Sequence, residues 1–138
     1  MPTSPRNIHD SLATFDDLWS PRTLATINDT EVRLVKVRGD YVWHRHPDSD
    51  EMFVVVEGHL RIALREGEGE GEEDGAERSV DLHAHDVFVV PRGVEHRPSS
   101  TDGASALVLD RTGTLTTGDF AGQVPDHITS TTAGLALE

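Results

Sequence analysis

The chain contains no cysteine. Thiol catalysis, thiolate metal sites and disulfide bonds are therefore excluded. Its 138 residues suffice for one core without such staples. Long apolar runs are absent too. The longest cover residues 52–56 and 87–90, against the roughly 20 apolar residues that a membrane-spanning helix needs. The first ten residues, MPTSPRNIHD, hold no apolar stretch of the signal-peptide kind. A soluble, cytoplasmic protein with no membrane partner is expected. Basic residues are scarce: 12 Lys and Arg stand against 25 Asp and Glu, for a net charge of −13. Such a surface repels phosphate backbones, so no nucleic-acid partner is expected. Seven of the acidic residues fall within residues 66–77, EGEGEGEEDGAE. That segment reads as a solvated loop, and it has no EF-hand spacing to suggest calcium.

What is present is mostly short β pattern. Asp10 or Ser11 could cap a helix running to Trp19, with Leu12, Phe15, Leu18 and Trp19 on one face, ended by Pro21. Strands are expected over residues 24–27, 31–38, 41–46, 51–56, 60–64, 78–82, 87–90 (a buried strand), 94–98 and 104–110. Asn28-Asp29, Gly39-Asp40, residues 91–93 and residues 99–103 mark turns. In residues 31–34 the apolar Val32 and Leu34 alternate with Glu31 and Arg33. Regular short strands with almost no helix argue for an all-β sandwich or barrel of the jelly-roll kind. The division is an N-terminal segment with the short helix (1–22), a barrel (23–115) and a C-terminal extension (116–138), partly disordered.

The chemistry concentrates in residues 39–58, GDYVWHRHPDSDEMFVVVEG. His44 and His46 are two apart, so on an extended strand they share a face. Residues 48–50 read as a turn. A second strand returning beside the first would bring Glu51 to the histidines across a hairpin. Two imidazoles and a carboxylate make three ligands for a divalent transition metal. Two histidines so spaced can equally be surface residues of an edge strand. A second segment, His85 to His96 (HDVFVVPRGVEH), leads a strand into a Pro-x-Gly turn and ends on a histidine. If that hairpin stood opposite the first, His96 would complete a site of three His and one Glu.

These residues resemble the two motifs of the cupin superfamily. The first is filled by Gly39, His44, His46, Glu51 and Gly58, with a Gly39-to-His44 spacer one residue shorter than the common form. The second is matched by Pro91, Gly93 and His96. His85 stands where its leading Gly is expected and Ser100 where its Asn is. His tolerates the positive φ that favours Gly there. The match spans about residues 30–110. The segment Trp19 to Arg22, WSPR, resembles the small single-domain members. The resemblance implies a double-stranded β-helix barrel, a divalent metal on His44, His46, Glu51 and His96, and a homodimer.

Three imidazoles and one carboxylate leave two octahedral positions open, which suits Lewis-acid or oxygen chemistry. The cofactor expected is one divalent transition metal, Fe, Mn, Ni, Zn, Co or Cu. Strand parity adds Val42, Phe53, Val55 and Pro98 as pocket wall, although core packing would explain them as well. Tyr41 and Trp43 alternate with the ligands and should face away. His83 and His85 could form a second metal pair or a strand-end turn. Arg92 could meet an anionic substrate or be a solvated turn residue. The expected function is a metal-dependent oxygenase, isomerase or lyase acting on a small polar metabolite. A non-catalytic small-molecule binding or sensing protein is the alternative, and a metal that only pins two hairpins is a further one.

Overall fold

A computed structural model describes residues 4–66 and 76–137. The expected acidic loop and its calcium reading lie almost wholly outside these residues. Helix α1 (Ile8–Leu12) precedes strands β1 (Arg22–Ile27), β2 (Thr30–Asp40), β3 (Glu51–Gly58), β4 (Leu60–Glu66), β5 (Ala76–Leu82), β6 (Val87–Val90) and β7 (Glu95–Arg111). The described strands all pair antiparallel with one another, in the order β1-β2-β7-β3-β6, with β4 bridging β5 and β7. This sheet, curled on itself, is a jelly-roll barrel. No described helix is long and apolar enough to cross a membrane.

β7 holds the barrel together. Its first residues pair with β4 (Leu64↔His96), its last with β3 (Phe53↔Val108), and its outer edge with β2 almost throughout. Residues 99–103, expected as a turn between two strands, are instead a bend within one strand of 17 residues. Ser100 stabilises the bend: its hydroxyl donates to the His59 carbonyl at 2.6 Å and accepts from the Gly103 amide at 3.0 Å. Gly39-Asp40 likewise does not turn. β2 runs through it across a bulge between Val37 and Gly39.

Two apolar clusters face the two sides of β2. The larger fills the barrel with Val35, Val55, Leu60, Ile62 and Leu64, each side chain worth roughly 1.5–3 kcal/mol of burial. The smaller joins Leu12, Phe15, Leu24 and Leu34 outside it. The alternation in residues 31–34 therefore holds, but both faces are buried, and the polar face of Glu31 and Arg33 points inward.

The helix is shorter than expected and starts earlier. Asn7, not Asp10 or Ser11, caps it by accepting the Asp10 amide at 2.9 Å. It stops at Leu12, because Thr14 turns both its amide and its hydroxyl back onto the Ser11 carbonyl. Leu12 and Phe15 still pack together, whereas Trp19 joins the barrel core and Leu18 is exposed. The expected buried strand at residues 87–90 is a barrel-edge strand with Val87 57% and Val89 44% exposed.

Two glycines with positive φ separate conformational need from close approach. A Cβ on Gly58 would sit 2.3 Å from the Gly103 carbonyl oxygen in the bend of β7; one on Gly39 meets nothing within 4 Å. Gly39→Ala should cost only the left-handed conformation, about 1–2 kcal/mol. Gly58→Ala should cost clearly more, because backbone must move. Urea denaturation of the two variants checks this, and equal losses would contradict it.

Candidate metal centre

The histidines come together through the main chain. Residues 41–46 do not pair with β3 as a hairpin. They run antiparallel beside residues 93–98, so the two motif segments are neighbours rather than facing hairpins. Tyr41 N–H donates to the Pro98 carbonyl (3.0 Å), His44 and His96 exchange both N–H···O bonds (3.1 and 2.8 Å), and Gly93 N–H donates to the His46 carbonyl (2.9 Å). Directly opposed residues put their side chains on one face. The His44 and His96 rings accordingly lie 4.3 Å apart, and the His44 and His46 rings 4.9 Å.

Glu51 opens β3 opposite Val90 of β6. The Asp50 carboxylate accepts the Arg92 amide at 2.8 Å, which ties the Pro-Arg-Gly turn to the start of β3. Glu51 then bridges two rings: Oε1 is 3.1 Å from His96 Nε2, and Oε2 is 3.5 Å from His46 Nε2. The ligand atoms of His44, His46, Glu51 and His96 all lie within 4.8 Å of one another, and all four residues are buried.

Hydrogen bonding sets which nitrogens face the cluster. The Val42 carbonyl lies 2.8 Å from His44 Nδ1, and the Val94 carbonyl 3.0 Å from His96 Nδ1. A carbonyl only accepts, so each Nδ1 carries the proton and each neutral ring presents a bare Nε2. His46 Nε2 is buried with no hydrogen-bond partner among the described residues. Bare ring nitrogens against a carboxylate are mutually repulsive unless a cation lies among them. An added proton or a divalent ion meets that need, and these donors are of the kind transition metals accept. Burial, reinforced by neighbouring His96, lowers His44 to about 3, so it stays neutral. Burial alone would raise Glu51, but the adjacent His46 and His96 imidazoles hold its carboxyl well below the usual range.

The cluster opens onto a cavity of about 60 Å³, reached by His44 and Glu51. Phe53 and Pro98 line it, with Trp19, Val35 and Leu60. Val42 and Val55, also expected on the wall, are buried in the surrounding core. Tyr41, expected to face away, lines the cavity and meets His44 edge-on at 5.2 Å. The cause is one extra residue: three steps from Tyr41 to His44 oppose two from Pro98 to His96, which reverses the alternation. Trp43 does face out, beneath the Arg65 guanidinium at 3.7 Å. His59 and His83 stack at the surface beside Asp81, while His85 takes the positive φ of a turn. Arg92 is an exposed turn residue.

Sequence reasoning missed the polar end of the cavity, formed by Arg33, Asp110 and Thr116. The buried Arg33 donates through Nε to Glu31, through Nη1 to Asp110 (3.2 Å), and through Nη2 to the Thr114 and Thr132 carbonyls (3.1 and 3.0 Å). Residues 114–135 are thereby fastened across the barrel. Gly134 N–H to Glu31, Thr129 N–H to the Trp19 carbonyl and Leu135 N–H to the Pro21 carbonyl reinforce them. Gly118 passes so close that a Cβ there would lie 3.0 Å from the His44 ring. One signal was available: Asp110 shares parity with the inward Ala106 and Val108 on β7.

Burial, with the adjacent Glu51 charge, pushes Asp110 up to about 10. In the metal-free protein the folded chain thus keeps a proton that the unfolded chain, at the ordinary value of 3.8, has lost. Stability should fall as pH rises between about 6.5 and 10, by at most about 1.4 kcal/mol per pH unit. Below 6.5 the neutral His44 contributes the opposite slope, so the profile flattens. Urea midpoints at pH 7 and 9 should separate in the wild type and coincide in Asp110→Asn. Equal separation in both would contradict the assignment.

Comparison with known proteins agrees with this architecture. A cupin-2 domain containing protein from Shewanella frigidimarina NCIMB 400 superposes with a TM-score of 0.68 at 37% identity, covering 77% of this chain and 93% of that one. Protein NMB1881 from Neisseria meningitidis gives 0.64 at 30% identity, covering 78% and 99%. The uncharacterized protein YdbB of Bacillus subtilis (strain 168) is 38% identical over 78 residues, 56% of this chain; the matched part spans only 60% of YdbB. More distantly, at 20% identity, hydroquinone 1,2-dioxygenase PnpCD in complex with Fe3+ shares the fold at a TM-score of 0.59, covering 70% and 29%. The sequence pattern of the cupin domain matches residues 31–112, and on that match the chain belongs to the cupin domain family.

Proposed function

We propose that the chain is a metal-dependent enzyme acting on a small polar metabolite by oxygenation, isomerisation or a lyase reaction. One divalent transition metal would be held by the Nε2 atoms of His44, His46 and His96 and by the Glu51 carboxylate. The observation that carries this reading is the buried, unpartnered His46 Nε2, set beside a carboxylate with two further bare imidazole nitrogens. A bound ion there supplies Lewis-acid polarisation and, if it is iron, redox chemistry. The chain's own residues contribute the rest. Trp19 and Phe53 exclude bulk water from the cavity, and Asp110 keeps a proton beside Glu51. Oxygenation is the first activity to assay, because hydroquinone 1,2-dioxygenases share the fold and one is recorded with Fe3+ and another with bound 4-hydroxybenzoate. The homodimer belongs to the same reading, supported by Val87 and Val89 exposed on the edge strand β6.

Elemental analysis of protein purified without oxygen or chelator tests the metal. About one equivalent of transition metal per chain is expected. His46→Ala and His96→Ala should each lower affinity by more than about 100-fold, since loss of supporting groups alone costs 10–100-fold, while far-ultraviolet circular dichroism keeps its β signature. Full occupancy in either variant would overturn the site, and turnover unchanged by chelation would overturn the enzyme.

A further inference from the structure

Two aromatic rings stand against the histidine cluster, and little space is left beside them. Resting on the metal-site reading above, we infer that Trp19 and Tyr41 set the size of what the metal accepts: a compact, acyclic oxygen donor of no more than about four non-hydrogen atoms, and no aromatic ring.

The cavity reached by His44 and Glu51 measures about 60 Å³. A water-sized group needs ~15 Å³ of such space, whereas the cavity that admits one benzene molecule is about 150 Å³. Four small groups therefore fit beside the cluster, and a six-membered ring does not. A divalent ion with Glu51 as its one charged ligand keeps a positive charge, so the fitting group is an oxygen anion or another small oxygen donor. The class is a one- or two-carbon acid, with dioxygen inside the same limit. Oxygenation at such a site acts on a smaller body than the ring of hydroquinone.

The limit is set by rings that are held in place. Trp19 and Tyr41 both line the cavity, their centroids 4.9 Å apart and their planes 31° from parallel. Tyr41 in turn meets the His44 ring edge-on at 5.2 Å. It points inward only because of the extra residue before His44. Trp19 has a φ of 53°, a left-handed conformation that a bulky residue rarely adopts and that persists only where its surroundings impose it. Here they do. Its main-chain N–H donates to the Lys36 carbonyl (2.8 Å), its indole N–H to the Arg38 carbonyl (2.9 Å), and its own carbonyl accepts the Thr129 amide (3.0 Å). Tyr41 is fixed at both ends as well. Its N–H donates to the Pro98 carbonyl at 3.0 Å. Its hydroxyl donates to Thr116, whose own proton goes to the Thr129 carbonyl. Two backbone irregularities thus each plant a ring beside the cluster, and neither ring swings aside without breaking these bonds.

Formate, acetate and benzoate share one carboxylate head and differ in the body behind it. Titrations of the cobalt-loaded chain, followed by the visible absorption of the ion, should show formate and acetate bound, with benzoate at least about tenfold weaker than acetate. Tyr41→Ala, with cobalt content verified, should bring benzoate at least about tenfold closer to acetate. Tyr41→Phe keeps the ring and should keep the wild-type ranking. Trp19→Leu serves as the enlarged variant where Tyr41→Ala does not fold. A purely structural role for these rings would weaken all three ligands alike. Benzoate as tight as acetate in wild type, no detectable binding of acetate, or an unchanged ranking in a folded enlarged variant overturns the inference. With cobalt taken up normally, any of these results counts against the inference alone. Failure of the chain to take up cobalt overturns the metal site and the inference with it.

Discussion

The pair of main-chain hydrogen bonds between His44 and His96 is the contact on which the rest depends. It joins the irregular segment before β3 to the first residues of β7. Because the two residues are directly opposed, their imidazoles need no further device to lie side by side. Each ring then bonds a carbonyl two residues back along its own chain, which fixes the tautomer locally. Asp50 and Gly93 secure the adjoining turn, so Glu51 enters β3 already facing the rings. A chelating geometry thus follows from backbone pairing on a rigid barrel, the kind of support that holds site residues more firmly than loops do.

Behind the cluster lies a row of buried ionisable groups. Glu51 is followed by Asp110, then Arg33, then Glu31, which the Gly134 amide caps. Buried charge is tolerated only when paired and hydrogen-bonded, and here the pairing links the barrel to its C-terminal segment. Arg33 therefore serves two purposes: it fastens residues 114–132 across the mouth, and it balances the carboxylates beneath the cavity. The same guanidinium thus fixes the tail and shapes the cavity wall.

Much of this was legible in the sequence. The β alternation and the Pro, Gly and Asn-Asp punctuation located most strands. The spacing of His44, His46, Glu51 and His96 identified the residues that the fold brings together. His85 adopts the positive φ expected where the motif has glycine, and the Ser100 hydroxyl makes turn-stabilising bonds where the motif has asparagine. What escaped depends on non-local pairing. Which strand accompanies residues 41–46 is decided by residues fifty positions away, and the extra residue before His44 that turns Tyr41 inward leaves no local trace. The alternation of residues 31–34 did not say that Glu31 and Arg33 point inward, because charged side chains are rarely buried; the C-terminal carbonyls and Asp110 make their burial possible. The helix ended early because Thr14 offered its backbone an alternative partner.

The central claim is that three imidazole nitrogens and one carboxylate meet on a single ion. X-ray absorption spectroscopy of zinc-loaded protein addresses it directly. The account predicts one ion per chain, with multiple-scattering features of three imidazoles and nitrogen and oxygen distances of about 2.0–2.2 Å. A spectrum showing an oxygen-only shell, or a single imidazole, would contradict it.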